Sequence, residues 1–405
     1  MRFKGDSKTE INNNLLLFQE KPINVDRVSL CMHVFVTLTS ECNLKCKYCY
    51  GKCAEDFGSD YGDFLIDYSI PDEMSYDITT LRNFSEQKPL ESLVFYGGEP
   101  LLRIKKMQDV IDNVYSTKFI LQTNGLLLDK LEPHYLNKLD TILVSIDGDE
   151  KLTDHYRGNG VYKKVLKNVS TLRNRGFEGE LIARMTVGEE TYIDESVMHL
   201  LFIKDRVFNS VHWQLDAQFW KNDFNPHKFA NWTENQYRPR LMRLIDKWIE
   251  YIEQEKTVMK IYPFLAIVNT LLTRKKHRLR CGAGWAQYNI QTDGNIVPCP
   301  NLSGMKDYYL GNIASSQDEI LKKNVNLGSP CVNCGLLWIC GGRCLYANIT
   351  KLWGESGFKL VCNTVHILIG GLQQKINKIQ QMIKDKDILI SDFKYTEFNS
   401  CEIIP

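Results

Sequence analysis

The sequence predicts an α/β fold, a partial (β/α)6 barrel of the TIM type followed by a cysteine-rich C-terminal region. Three observations lead there. β-branched apolar runs alternate with amphipathic stretches from His33 to Asp216, six runs in all. Each run ends in polar residues. The thirteen cysteines fall into two blocks, five from Cys31 to Cys53 and seven from Cys281 to Cys362, with Cys401 apart.

The elements follow in order. His33–Ser40 is the first strand, and a helix is expected over Pro71–Gln87. Strands at Ser92–Gly98 and Lys118–Thr123 bracket a helix at Arg103–Tyr115, and another helix lies around Leu127–Leu139. Thr141–Asp147, Glu180–Val187 and Ser210–Asp216 complete the six strands. Strands alternating with amphipathic helices argue for parallel βαβ units. Stretches 236–254 and 258–275 are helical, and their Trp248, Tyr251, Tyr262 and Phe264 are expected in the core. The chain thus divides into an extension (1–31), the barrel (32–230), a helical linker (231–279), the cysteine-rich region (280–370), and a C-terminal helix with a tail (371–405).

Composition narrows the function. Apolar residues make up 43% and charged residues 24%, as in a soluble protein. A net charge of +1 gives no reason to expect nucleic acid or a membrane surface as partner. The sequence has neither a run near the ~18 apolar residues of a membrane span nor a signal peptide. The expected location is the cytoplasm, where thiols stay reduced and clustered cysteines point to metal.

In a barrel of this kind the site gathers at the C-terminal strand ends. There the sequence places Cys42, Cys46 and Cys49 after the first strand, Tyr96–Pro100 after the second and Gln122–Gly125 after the third. Ser145 and Asp147 follow on the fourth, Arg184 and Thr186 on the fifth, and His212, Gln214 and Asp216 on the sixth, each set two residues apart and so on one face. Each has a plain alternative: a turn at Gly97-Gly98 or Asn124-Gly125, a surface cation at Arg184. Three thiolates suit either zinc with a fourth ligand, for which Cys53 is at hand, or an iron–sulfur cube with one iron left open.

Cys42-x3-Cys46-x-Tyr48-Cys49, followed on the next strand by Gly97-Gly98-Glu99-Pro100, resembles the radical S-adenosylmethionine (SAM) superfamily. That resemblance implies a [4Fe–4S] cluster on Cys42, Cys46 and Cys49, whose open iron chelates SAM. Reductive cleavage of SAM would give a 5′-deoxyadenosyl radical that takes hydrogen from substrate. It further implies Gly97, Gly98 and Glu99 at the SAM ammonium, Asn124 and Ser145 at the ribose, Arg184 at the methionine carboxylate, and the backbone near Tyr48 against adenine.

The second block runs Cys281-x12-Gly294-x4-Cys299, then Cys331-x2-Cys334-x5-Cys340-x3-Cys344, then Cys362. It resembles the SPASM domain of peptide- and protein-modifying radical SAM enzymes. The resemblance implies a nearer auxiliary cluster on Cys281, Cys299 and Cys344 and a farther one on Cys331, Cys334, Cys340 and Cys362. The nearer cluster then has an iron either open to substrate or held by a further residue, Cys53 or Cys401 being the spare thiols. A zinc ribbon on Cys331, Cys334, Cys340 and Cys344 is the competing reading.

Together the two resemblances cover roughly residues 33–216 and 280–366. "LQTNGLLLDKLEP" and "CGGRCLYANITK" resemble an archaeal-type peptide-modifying subgroup. "TDHYRGNGVY" resembles a loop common in SPASM enzymes and nominates Asp154, His155 and Arg157 beside substrate, with a helix-capping loop as the alternative. His212, Gln214 and Asp216 are further substrate candidates. Pro300 stands after Cys299, where sulfatase-maturing relatives have an aspartate base, which weakens that activity. About thirty residues precede the barrel, too few for a leader-binding module.

The implied function is a peptide- or protein-modifying enzyme with SAM and three [4Fe–4S] clusters, maturing a ribosomal peptide by crosslink, thioether, epimerisation or oxidation. Its partners would be a precursor peptide or protein and reduced ferredoxin or flavodoxin. Oxidation of a small molecule, or a non-catalytic iron–sulfur electron carrier, are the alternatives.

Overall fold

The computed structural model describes residues 32–49, 64–87, 90–216, 224–323, 325–401 and 404–405. The extension 1–31 with Cys31, and Cys53, lie outside the described residues.

Strands and helices alternate as β1 (His33–Thr39), α1 (Ile78–Gln87), β2 (Ser92–Gly97), α2 (Ile104–Asn113), β3 (Phe119–Thr123), α3 (Pro133–Leu136) and β4 (Leu139–Ser145). They continue as α4 (Glu150–Arg157), α5 (Val161–Leu172), β5 (Glu180–Val187), α6 (Ile193–Phe202) and β6 (Ser210–Leu215). The order across the sheet is β6-β5-β4-β3-β2-β1, every pair parallel. These are the six expected strands. The first helix is shorter than expected because residues 71–77 brace the end of β1 instead: Ser40 N donates to the Asp72 carbonyl and Met74 N to that of Leu38.

Parallel strands are covered on both faces, and their residues here are apolar on both. One face packs under the helices through Val34, Val36, Leu93, Phe95, Leu121 and Val144. The opposite face forms a second core of Phe35, Val94, Ile120, Leu143 and Ile182, joined by Tyr262 and Cys401.

Three helices follow, α7 (Pro226–Trp232), α8 (Arg238–Glu255) and α9 (Tyr262–Thr273). Trp248, Tyr262 and Phe264 are buried and Tyr251 packs against the core, as their aromatic spacing suggested. The cysteine-rich region then opens with β7 (Gln287–Ile290), β8 (Asn295–Val297) and β9 (Gly311–Asn312). These strands went unrecognised in the sequence. β7 pairs parallel with β1, His33 opposite Gln287, so a single nine-stranded sheet runs through both regions. Helices α10 (Gln317–Lys322), α11 (Leu337–Cys340), α12 (Leu345–Thr350) and the long α13 (Gly354–Lys384) complete the fold. Among the described residues, no helix is long and apolar enough to cross a membrane.

Candidate active site

The loop carrying Cys42, Cys46 and Cys49 leaves β1 and is locked from beneath by β2. Gly98 N donates to the Thr39 carbonyl at 2.9 Å and Glu99 N to the Glu41 carbonyl at 2.8 Å. This close approach explains the glycine pair. Gly97 has φ +146°, and a Cβ there would overlap the Thr39 carbonyl oxygen. A Cβ on Gly98 would overlap the carbonyl oxygens of Ser40 and Glu41. The motif is thus a packing requirement of the thiol loop as well as a turn.

Glu99 is 0% exposed. Its Oε1 accepts from Leu101 N and from Thr123 Oγ1 at 2.7 Å, and its Oε2 accepts from Asn124 N at 2.7 Å. Three of four acceptor positions are filled by protein, leaving one on Oε2 for a cation. Burial pushes the carboxyl up to about 7, against those three hydrogen bonds. Asn124, expected at the ribose, spends its amide elsewhere. Nδ2 donates to Asn43 Oδ1 at 2.7 Å and lies 3.8 Å from Cys42 Sγ, while Oδ1 accepts from Leu126 N. The short reach of an asparagine on the β3 turn brings it to the thiol loop, where it acts as a tie.

Tyr48 donates its phenol to Asp147 Oδ2 at 2.6 Å. Arg157 holds the same carboxylate with two bonds, Nε to Oδ2 at 2.8 Å and Nη2 to Oδ1 at 2.9 Å. Asp147 is 0% and Arg157 7% exposed, and the guanidinium lies 5.4 Å from the Tyr48 ring centroid. Burial opposes the charge on Arg157, but Asp147 more than offsets it and its pKa rises. Arg157 is therefore a buried strut, not a substrate contact. Asp154 is also corrected: its carboxylate accepts from Gly160 N and Tyr162 N and caps the start of α5. His155 remains at the surface, its Nε2 3.2 Å from Lys47 Nζ of the thiol loop.

The remaining strand-end residues line up across neighbouring strands. Ser145 pairs with Arg184 and Arg184 with His212, then Thr186 with Gln214. They occupy one face, as their two-residue spacing required. His212 is fully buried, Gln214 and Asp216 partly so, and Asp216 N donates to the Val187 carbonyl. Arg184 Nη1 donates to the carbonyl oxygen and to Oγ of Ser400, a partner no sequence feature announced.

The thiols form three neighbourhoods. Cys46 is pushed up to about 11 by burial, with Arg157 pulling the other way and Cys49 and Cys42 adding to the rise. Burial, then Cys344 and Cys281, hold the Cys299 thiol well above its usual range. Cys281, Cys299 and Cys344 share one core with Leu279, Ala283 and Leu345. Cys401 packs in the barrel interior, in a different core from the one that Cys281, Cys299 and Cys344 pack against. Cys331, Cys334, Cys340, Cys344 and Cys362 line a cavity of about 340 Å³. Cys344 thus stands between the two C-terminal sets. Burial raises Cys331 to about 11 and Cys362 to about 12, with neighbouring thiols contributing to both. Such thiols become thiolates when a metal supplies positive charge. Among the described residues, no three or more ligating side chains close on a single-ion site.

A thiol-lined cavity of this volume and an all-sulfur donor set suit iron–sulfur clusters. The loop thiols, with Glu99 after β2 and Arg184 on β5, offer opposite charges suited to a zwitterion such as SAM's methionine moiety.

Residues 36–201 match the Radical SAM superfamily. Over 358 residues the chain is 22% identical to the cysteine-type anaerobic sulfatase-maturating enzyme of Clostridium perfringens, covering 80% of this chain and 92% of that protein. Among solved structures, native anSMEcpe with bound AdoMet and Cp18Cys peptide superposes with a TM-score of 0.59 at 19% identity, over 83% of this chain and 99% of that one. Streptococcus suis SuiB bound to precursor peptide SuiA superposes with a TM-score of 0.53 at 17% identity, over 80% and 73%. Residues 36–201 are thus similar to the Radical SAM superfamily, whose members use SAM and an iron–sulfur cluster.

Proposed function

We propose that this protein is a radical SAM enzyme that modifies a peptide or protein, using three [4Fe–4S] clusters. The observation that carries the reading is the grouping of ten cysteines into one set at the strand ends and two sets in the C-terminal region. Cys42, Cys46 and Cys49 would hold the first cluster, Cys281, Cys299 and Cys344 the second, and Cys331, Cys334, Cys340 and Cys362 the third. Cluster and SAM together supply a 5′-deoxyadenosyl radical able to abstract hydrogen.

The chain's own residues bind and orient. Glu99 keeps one acceptor that would take the SAM ammonium, Gly97 and Gly98 let the thiol loop pack close to β2, and Arg184 would pair with the methionine carboxylate. Ser145 and the backbone near Tyr48 would contact the nucleoside. His212, Gln214 and Asp216 line the face on which substrate would lie. Solved relatives with peptides bound support a peptide as substrate. A reduced ferredoxin or flavodoxin would deliver the electron. Pro300 directly after Cys299 offers no proton acceptor, which favours an outcome other than the sulfatase-type reaction.

The test is anaerobic reconstitution with metal analysis. We expect about twelve iron atoms per chain, and loss of about four on replacing Cys42, Cys46 and Cys49 together by Ala. SAM cleavage by the reduced protein should vanish in that variant. Zinc held tightly by the C-terminal cysteines would overturn the three-cluster reading.

A further inference from the structure

We propose that Ser400 is a positioning residue of the SAM site: inserted into the barrel interior, it holds Arg184 so that the unspent edge of the guanidinium meets the methionine carboxylate. This rests on the function proposed above.

The segment Asn399–Cys401 lies inside the sheet, 216 residues along the chain from Arg184. Cys401 is 1% exposed and packs with Phe35, Val94, Ile120, Leu143 and Ile182, drawn from β1 to β5. Asn399 Nδ2 donates to Tyr262 Oη, which itself donates to Glu180 Oε2 at 2.9 Å at the start of β5. Cys401 N donates to Asn399 Oδ1 at 3.2 Å. One layer higher, Ser400 Oγ donates to Gln122 Oε1 at 3.2 Å, near the end of β3. Its carbonyl oxygen takes Arg184 Nη1. The segment is thereby fixed to β3, β5 and α9 at once.

Two features separate this from ordinary packing. Ser400 has φ +76°, the left-handed region, where an L-residue other than glycine stays only when its surroundings fix it. And the contact uses only Nη1 of Arg184. Among the described residues, nothing takes the Nε–Nη2 edge, which presents two parallel donors to a carboxylate. Arginine carries large rotamer freedom, so anchoring one end of the guanidinium prepays part of the ordering that carboxylate binding needs. Ser145 on β4 and His212 on β6 stand opposite Arg184 in register on either side.

The test compares ligands that do and do not carry the methionine group. Ser400→Asp puts a carboxylate against Arg184, where it competes for the open edge of the guanidinium. On the anaerobically reconstituted protein, calorimetry should show SAM bound roughly 10–100-fold more weakly, with 5′-deoxyadenosine bound as in the wild type. Ser400→Ala keeps the carbonyl contact and should stay within about threefold of wild type. In an Arg184→Gln background, Ser400→Asp should add nothing. Wild-type SAM affinity in Ser400→Asp, equal loss of 5′-deoxyadenosine, or an undiminished effect without Arg184 would each overturn the proposal. A measurement on the wild type guards against a variant that does not fold. By reciprocity, SAM should protect the amides of 399–401 from hydrogen exchange and 5′-deoxyadenosine should not; equal exchange with and without SAM overturns the proposal. If the wild type binds no SAM at all, the enzymatic reading fails instead, and the two failures are distinguishable.

Discussion

Tyr48 reaches across 99 residues of sequence to donate its phenol to Asp147 at 2.6 Å. Through that one bond the thiol loop after β1 is tied to the end of β4, and through Asp147 to Arg157 on α4. The aromatic residue before Cys49 is a structural strut. Thr186 N donates to the same carboxylate at 2.9 Å, so three strand ends share one buried charge.

Asp147→Asn should therefore disturb more than it removes. It leaves the Arg157 charge buried with a neutral partner, and stability should fall by about 3–5 kcal/mol. Tyr48→Phe keeps the ion pair and should cost about 2 kcal/mol, the worth of a hydrogen bond to a charged acceptor. Thermal unfolding of both variants, compared with Arg157→Lys, checks the ranking.

Gly98→Ala tests the packing role of the glycine pair. The new methyl would meet the backbone oxygens of Ser40 and Glu41, which cannot yield without moving the thiol loop. Reconstituted protein should hold about four fewer iron atoms while the C-terminal sets keep theirs. Gly370→Ala is the control: it lies within α13 with nothing near its Cβ position, and should leave iron content unchanged.

His33 provides a pH signature. It sits at the start of β1, 6% exposed, with Nδ1 2.8 Å from Ser92 Oγ. Burial, then the charge of Lys118, pulls its pKa down from 6.5 to about 4. The folded state therefore binds this proton less readily than the unfolded chain. The stability it carries is fully present above pH 6.5 and is lost as pH falls through 4, about 3 kcal/mol in all. The wild-type-minus-His33→Gln difference in unfolding free energy should therefore fall by about 3 kcal/mol as pH drops from 6.5 to 4. Parallel profiles down to pH 4 would contradict it.

Much of the fold was legible because its signals are local. Six strands showed as β-branched runs whose two-residue alternation placed Arg184, His212 and Gln214 on one face, and parallel register then set them side by side. The cysteine sets were suggested by the resemblance their spacing carries, and the folded chain packs Cys281, Cys299 and Cys344, up to 63 residues apart, against one core. The glycine pair was legible as a motif, but its reason was not: it lies in the carbonyl oxygens of residues 39–41, nearly sixty positions away. Tertiary structure decided the rest. Arg157 looked like a loop residue near substrate and is buried, because only the folded chain brings Asp147 to it. Asn124 looked placed for a ribose and instead ties Asn43 and the Cys42 sulfur. β7 carries little period of its own and becomes a strand by pairing with β1. Cys401 and Ser400 had no motif at all, and they fill the barrel because the apolar inner faces of five strands need something to bury against. Local chemistry is written in spacing, whereas the partner of a buried polar group is settled only when distant segments exclude water together.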